Sequence, residues 1–282
     1  MKNLTVYNQD TLRFFDELLA SMNRTAADPQ YKDRIAVLRP AIGISYQSYE
    51  DRYATGQLVM SDAAGHVNPE RSDLLRLYSF QRKILQDLRI QLTTSERNLL
   101  INTCQNCTIN EINSFDHLLP KEEFPEFAVN PKNLFPSCTQ CNSYKSVNWR
   151  AEGRPLFLNL YQDELPDEQY LFVNVTITDI IETHYSIGNP NQIGHDLFTC
   201  IASHYHRLHL LERFRLNSPG IISELINTVQ AMAEDLDTEA MRTIIRGKAN
   251  RDKLIFGANY WKSILYLELI NGDSFFDFIA GL

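Results

Sequence analysis

Apolar residues recur at helical spacing through much of the chain. In residues 10–24 they form one face of an amphipathic helix, with Asp10 in the N-cap position. Residues 30–53 carry a weaker helical pattern, which Pro40 and Gly43 interrupt. The chain is therefore predicted to begin with one clear helix and one interrupted helix.

A stronger helical pattern covers residues 70–92. Five apolar residues recur there at helical spacing: Leu74, Leu77, Ile84, Leu88 and Leu92. The next segment, residues 93–100, either extends this helix or begins another one. Residues 1–100 are therefore predicted to be a helical N-terminal region.

The pattern changes in the second half of the chain. Residues 155–161 and 170–179 alternate with a period near two and are rich in β-branched and aromatic residues, which is typical of strands. Residues 182–187 are expected to pair with the second of these segments. From residue 193 the pattern is helical again, with one helix over 196–216 that ends at the "NSPG" sequence. Residues 151–282 are thus predicted to be a hairpin-like segment followed by a helical C-terminal region.

The fold class that follows is mainly α with a small α+β insertion. Apolar residues make up 44% of the 282 positions, enough for a sizeable core. No apolar run is long enough to span a bilayer, and the first residues lack the layout of a signal peptide. We therefore expect a soluble cytoplasmic protein without a membrane partner.

The acidic balance constrains the possible partners. The formal net charge is −8, and phosphate contacts require Lys and Arg. A nucleic-acid-binding protein with this charge needs either a local concentration of basic residues or a partner that supplies part of the contact.

Four of the five cysteines form two CxxC pairs, Cys104 with Cys107 and Cys138 with Cys141. Each pair offers two thiolates from one tight turn, and two such turns give the four-thiolate site that suits structural Zn²⁺. A zinc ion with four cysteine ligands has no open position, so any chemistry must come from other groups. Cys200 lies in an apolar helical pattern and is predicted to be a core residue.

The segment between the pairs contains residue types suited to phosphodiester hydrolysis. His117 is the side chain type that removes a proton from water near neutral pH. Asp116 and Asn142 offer the oxygen ligands that Mg²⁺ or Mn²⁺ prefers. Lys145 is a candidate phosphate contact, and Asn133 a candidate for fixing the local backbone. Each of three residues also has a purely structural explanation: His117 as a hydrogen-bonded histidine beside a zinc knuckle, Asn142 as a helix cap and Lys145 as a solvated surface charge.

Four segments occur in this order along the chain: "CQNC", "FDHLLPK", "NPKNLFPSC" and "CNSYKS". In these segments the chain resembles the HNH endonucleases, which have a ββα-metal core and, in some members, zinc knuckles. The resemblance covers about 45 of the 282 residues and predicts an HNH nuclease core with zinc knuckles over residues 101–150. It implies that His117 is the general base, Asp116 and Asn142 are ligands of a catalytic Mg²⁺ or Mn²⁺, Asn133 is the middle structural residue, and Lys145 is the basic residue after the last motif. The third motif residue is Asn here where many members have His.

The predicted nuclease core has four basic and five acidic residues, so nucleic-acid contacts are expected elsewhere. The best candidate is "MRTIIRGKANRDK" at 241–253, which has five basic residues and one acidic residue. A solvated helix face is the alternative explanation. The candidate nucleic-acid contacts in this segment are Arg242, Arg246, Lys248 and Arg251.

The resemblance also suggests a biological setting. Zinc-knuckle HNH proteins of this size are similar to effector nucleases of prokaryotic anti-phage systems, which are often encoded beside an ATPase. DNA and such an ATPase are therefore the expected partners, by analogy at the level of fold. Two other classes stay open: a restriction or homing-type nuclease with its own sequence specificity, and a non-catalytic zinc module that binds nucleic acid or protein.

Overall fold

A computed structural model describes residues 1–95 and 98–282. These residues form two compact units. The N-terminal unit comprises Asn3–Cys104 and Asn110–Asp163, and the C-terminal unit comprises Met1–Lys2, Gln105–Ile109 and Glu164–Leu282. The predicted division into residues 1–100, 101–150 and 151–282 stays a prediction.

The N-terminal unit combines helices with short antiparallel strand pairs. Its elements are α1 Thr11–Ser21, α2 Tyr31–Ala54, α3 Glu70–Leu75, α4 Lys83–Thr93, β1 Ser114–His117, β2 Leu134–Ser137, α5 Thr139–Lys145, β3 Arg150–Ala151 and β4 Arg154–Pro155. The N-cap of α1 is confirmed, because the Asp10 carboxylate accepts hydrogen bonds from the amides of Leu12 and Arg13. Each bond satisfies an amide that lacks a partner within the helix.

Helix α2 is continuous, so the predicted interruption at Pro40 is wrong. Its buried face carries Ile35, Ile42 and Tyr46, which lie in the core of the unit. A proline within a helix removes one backbone hydrogen bond. Burial of an apolar face of this length outweighs that loss, at roughly 1.5–3 kcal/mol for each large side chain.

The helix predicted over residues 70–92 is two helices, α3 and α4. The break includes Arg82, whose backbone is extended and whose Nε donates to the carbonyl of Leu77 at 3.0 Å. Leu77 and Leu85 are nevertheless both buried, which is why the apolar spacing did not indicate the break. Helix α4 ends at Thr93. Glu96 and Arg97, within the segment predicted either to extend this helix or to begin another, lie outside the described residues.

The strands β1 and β2 pair antiparallel, with Asp116 opposite Phe135 and His117 opposite Leu134. Both strands are buried along their whole length, and α5 follows β2 after one residue. The amide of Leu118 donates to the carbonyl of Asn133 at 2.9 Å and continues the pairing past the strand ends. This strand pair and helix hold the segment between the two CxxC pairs.

The strand predicted over residues 155–161 is wrong beyond the two-residue β4. Asn159 forms a turn there, in which its side-chain oxygen accepts from the amide of Tyr161 at 3.1 Å. Its own amide donates to Asp163 at 2.7 Å. Asn and Asp side chains that bond to nearby amides favour turns over strands.

The C-terminal unit is a hairpin followed by helices. Its elements are β5 Leu171–Ile177, β6 Ile181–Ile187, α6 His195–Arg207, α7 Leu210–Met232, α8 Thr238–Phe256, α9 Trp261–Leu269 and α10 Ser274–Ala280. The pairing of β5 with β6 confirms the predicted hairpin. Cys200 is buried in α6, as expected of a core residue.

The predicted helix end at "NSPG" is wrong, because α7 runs through Pro219 and Gly220. The chain breaks earlier, at His209, whose backbone is left-handed with φ 53°. Ser218 is buried and donates its hydroxyl to the carbonyl of Phe214 at 2.8 Å, within the helix.

The described chain is thus mainly helical with small antiparallel sheets, as the sequence predicted at this coarse level. None of the helices among residues 1–95 and 98–282 has the length and apolar content needed to span a bilayer.

Candidate active site and metal centre

The four cysteines of the CxxC pairs come together. Their Sγ atoms lie within 4.8 Å of one another, and all four side chains are buried. Sulfurs around a tetrahedral zinc ion lie about 3.8 Å apart, because each Zn–S distance is about 2.3 Å. The cluster is therefore compatible with the predicted zinc site.

Amide groups point at the sulfurs of this cluster. The amide of Cys141 lies 3.4 Å from Cys138 Sγ, and that of Ile109 lies 3.5 Å from Cys107 Sγ. The side-chain amide of Asn110 lies 3.8 Å from Cys138 Sγ. Donors of this kind stabilise negative charge on sulfur and favour the thiolate that a metal requires.

The loop of the first CxxC pair is also held through its carbonyls. His204 Nε2 lies 3.1 Å from the carbonyl oxygen of Asn106. Trp261 Nε1 donates to the carbonyl oxygen of Thr108 at 3.2 Å. Both side chains are buried, so the loop has fixed partners within the C-terminal unit.

His117 ends strand β1 and is 6% exposed. Its Nε2 lies 3.0 Å from the carbonyl oxygen of Ala128. A carbonyl oxygen only accepts hydrogen bonds, so Nε2 carries the hydrogen and Nδ1 keeps its lone pair. The ring also packs edge-on against Tyr78, with 4.7 Å between ring centroids.

The surroundings of His117 keep it neutral. Burial lowers the pKa of His117 to about 3, and the cations of Lys121 and Lys145 act in the same direction. The hydrogen bond to Ala128 opposes this shift. At neutral pH the imidazole is therefore uncharged and able to accept a proton at Nδ1.

Asp116 and Lys145 form a buried ion pair, with 2.9 Å between Oδ1 and Nζ. The ammonium also donates to the carbonyls of His117 and of Leu118, the latter at 3.4 Å. Burial raises the pKa of the Asp116 carboxyl, and the charge of Lys145 opposes that rise. Lys145 therefore fixes the end of β1 against α5 rather than facing solvent.

Asn133 is fully buried and ties together the loop between the two strands. Its Oδ1 accepts from the amide of Leu119 at 2.8 Å. Its Nδ2 donates to the carbonyls of Leu119 and Phe127 at 2.9 and 3.2 Å. This side chain holds the backbone at Leu119, just after β1, and at Phe127, the residue before Ala128, whose carbonyl is the partner of His117.

Asn142 lies on α5 and is half-buried. Its Nδ2 donates to the carbonyl of Phe115 at 3.2 Å, so the atom it has left for a metal ion is Oδ1. The geometry thus brings Asp116, His117 and Asn142 together, with Asn133 and Lys145 as their supports.

Asp116, His117 and Asn142 border a cavity of about 260 Å³. Its wall is formed by Tyr78, Phe115, Asp116, His117, Pro120, Lys121, Glu122, Asn142, Ser146 and Val147. Sequence reasoning missed Lys121 and Glu122, although they follow directly after "DHLLP". It also missed Tyr78, which lies far upstream of the motif and whose place no local pattern indicates.

The basic segment in α8 has a mixed environment. Arg242 has an 11% exposed side chain and pairs with Asp273 at 2.7 Å, and it also donates to the carbonyls of Ile270 and Gly272. This burial does not support its role as a phosphate contact. Arg246, Lys248 and Arg251 are exposed, and their role as nucleic-acid contacts stays a prediction.

Comparison with known proteins finds similarity along nearly the whole chain to protein ea31 of Escherichia phage lambda. The two are 23% identical over 289 residues, which cover 94% of this chain and 96% of that protein. The name of the phage protein states no activity. No protein-family model matches this chain, and no solved structure matches it.

Proposed function

We propose that this protein is a metal-dependent HNH endonuclease that hydrolyses phosphodiester bonds, in DNA as the first expectation, with His117 as general base. The observation that carries the proposal is the charge, hydrogen bonding and position of the His117 imidazole. The ring is neutral, directed by the Ala128 carbonyl, and placed on the wall of a cavity that Asp116 and Asn142 also line. The succession of β1, β2 and α5 supports the ββα core that the motif resemblance implies.

The residues present fit a hard divalent cation. Asp116 and Asn142 offer carboxylate and amide oxygens, and Mg²⁺ commonly takes one or two carboxylates and completes its shell with water and substrate phosphates. Such an ion, when bound, stabilises negative charge on the phosphate and on the leaving oxygen. The four-cysteine cluster is the proposed structural zinc site.

The side chains then have distinct tasks. His117 accepts a proton from the attacking water at Nδ1, while its Nε2–H bond to Ala128 holds the ring in place. A phosphodiester in the cavity carries negative charge, which raises the pKa of the imidazole and makes it a stronger base. Asn133 and Lys145 position the backbone on which His117 and Asp116 lie.

A cleavage assay tests this proposal. Plasmid, linear and single-stranded DNA are incubated with Mg²⁺, Mn²⁺ or EDTA, using wild type, His117→Ala and the control His206→Ala, in which an exposed histidine is replaced. We expect metal-dependent cleavage by wild type and the control, and a loss of at least about 100-fold in His117→Ala, the usual contribution of a general base. A His117→Ala protein that cuts as fast as wild type would refute the assignment.

A partner subunit is part of the proposal for the biological role. The net charge of −8 disfavours strong unaided binding to DNA, so a partner that supplies basic surface would complete the contact. We propose an ATPase of an anti-phage defence system, on the motif resemblance alone. Co-expression with the neighbouring gene product, followed by size exclusion, shows whether the two proteins form a complex.

A further inference from the structure

The cavity beside His117 is lined by a basic side chain that could contact a substrate anion, that of Lys121. Of the described residues that line it, Lys121 is the only Lys or Arg. Lys121 and His117 line the same cavity, together with Asp116 and Asn142. A phosphodiester in this cavity would therefore lie close to the Lys121 ammonium.

Lys145, the lysine that the motif suggested for this task, is fully engaged elsewhere. An ammonium group has three N–H donors. Those of Lys145 are directed at Asp116 and at the carbonyls of His117 and Leu118, and the side chain is 6% exposed. Moving Lys145 to a phosphate would withdraw its ammonium from the buried Asp116 carboxylate and from two backbone carbonyls, which is strongly unfavourable.

Lys121 is free of that cost. It pairs with Glu122, its neighbour in the chain, and the two side chains are 27% and 47% exposed. Ion pairs at such exposure contribute little to stability, so a phosphate can replace Glu122 as the partner of the Lys121 ammonium with little energetic penalty.

The backbone that carries Lys121 is nevertheless fixed. The amides of Glu123 and Phe124 both donate to the carbonyl of Pro120, at 3.0 and 2.8 Å. Arg71 donates to the carbonyl of Glu122 at 2.9 Å. A fixed backbone with a partly exposed ammonium reduces the conformational freedom lost when an anion binds.

We propose that Lys121 is the residue that contacts the substrate phosphodiester in this cavity, exchanging Glu122 for a phosphate oxygen as the substrate enters. The inference rests on the proposed function, since it names how that site recognises its substrate. It assigns phosphate recognition to Lys121 and leaves Lys145 as a positioning residue.

The test compares Lys121→Met, Lys121→Arg and the control Lys83→Met. Lys83 is a matched control because it too is a lysine in a local ion pair, with Asp87 at 3.0 Å, and it is exposed on α4. The first measurement is the affinity of the full-length protein for dimethyl phosphate without divalent metal, by ³¹P NMR titration. The second is the KM and kcat for DNA cleavage over a series of salt concentrations.

We expect Lys121→Met to bind dimethyl phosphate roughly tenfold more weakly, as befits the loss of a charge-assisted hydrogen bond. Lys121→Arg and Lys83→Met should keep most of the affinity. In cleavage, Lys121→Met should raise KM, and the slope of log affinity against log salt should fall by about one. Equal affinity in Lys121→Met and Lys83→Met, or no binding of dimethyl phosphate by wild type, would overturn the inference.

The two measurements separate this inference from the proposed function. Lys121-dependent binding of dimethyl phosphate by a protein that cuts no nucleic acid would support Lys121 and refute the nuclease. Cleavage that depends on His117, with a KM and salt slope unchanged in Lys121→Met, would support the nuclease and refute Lys121.

Discussion

The neutral imidazole of His117 makes the folded protein sensitive to acid. The pKa of this group falls from an ordinary 6.5 to about 3 because the ring is buried. Between these values the unfolded chain binds a proton that the folded chain excludes. The resulting contribution to the free energy of unfolding is therefore present above pH 6.5 and is lost as the pH falls toward 3, by at most about 1.4 kcal/mol per pH unit.

His117→Gln isolates this effect, because glutamine does not titrate and its side-chain amide can still donate to the carbonyl of Ala128. We expect the free energy of unfolding of wild type to fall more steeply than that of His117→Gln between pH 7 and pH 5, by about 1–2 kcal/mol. Urea unfolding at several pH values measures both curves. Parallel curves would contradict the burial of a neutral His117.

The Asp116–Lys145 pair offers a second prediction for single residues. Lys145→Met leaves a buried carboxylate and two backbone carbonyls without their donor, and we expect a loss of about 3 kcal/mol in the free energy of unfolding. Asp116→Asn combined with Lys145→Met should cost clearly less than the sum of the single changes, because the two groups interact directly. Lys83→Met should leave stability nearly unchanged. Additive losses would show that the two side chains are not paired.

At the scale of elements, one side chain holds the loop between β1 and β2. Asn133 makes three hydrogen bonds in a fully buried position, and a partner left unsatisfied there costs about 1–3 kcal/mol. We expect Asn133→Ala to lower the free energy of unfolding by about 2–3 kcal/mol and to speed amide hydrogen exchange at Leu119. Asn148→Ala, at an exposed position, is the control. Unchanged exchange at Leu119 would mean that the loop is held by other contacts.

The elements that the sequence predicted well are those whose signals are local. Asp10 caps α1 because its carboxylate reaches amides two and three residues away, and the β5–β6 hairpin follows from alternation on both sides of a tight turn. The predictions that failed depended on tertiary packing. Pro219 is tolerated inside α7, whose buried face includes Phe214, Ile221 and Ile222.

The same distinction applies to the candidate site. The motif resemblance predicted that Asp116 and His117 lie close to Asn142 and Lys145. The strand pair places Asp116 and His117 beside α5, the helix that carries both of the other residues. The pairing of Lys145 with Asp116 could not be seen, because nothing in the sequence tells a buried lysine from an exposed one. The approach of Tyr78 to His117 depends on how α3 and the chain after it pack, which no motif records.

At the scale of the whole molecule, the cysteines provide the sharpest comparison. Cys200 is buried in α6, outside the group formed by the CxxC cysteines, and so serves as a matched control. We expect about one zinc ion per chain in wild type and in Cys200→Ser, and clearly less in Cys138→Ser. Elemental analysis of the purified proteins measures this content. Equal zinc in Cys138→Ser and Cys200→Ser would refute the four-thiolate site.

Removing the zinc ion and replacing His117 should impair the protein in different ways. Structural zinc sites contribute directly to folding free energy, so a strong chelator should lower the melting temperature of wild type and expose the buried cysteines to a thiol reagent. His117→Ala should keep its zinc and its unreactive cysteines while losing the proposed cleavage. Differential scanning calorimetry and thiol titration, each with and without chelator, distinguish the two cases. A melting temperature that does not respond to chelator in a protein shown to have lost its metal would mean that the buried cluster is held by packing alone.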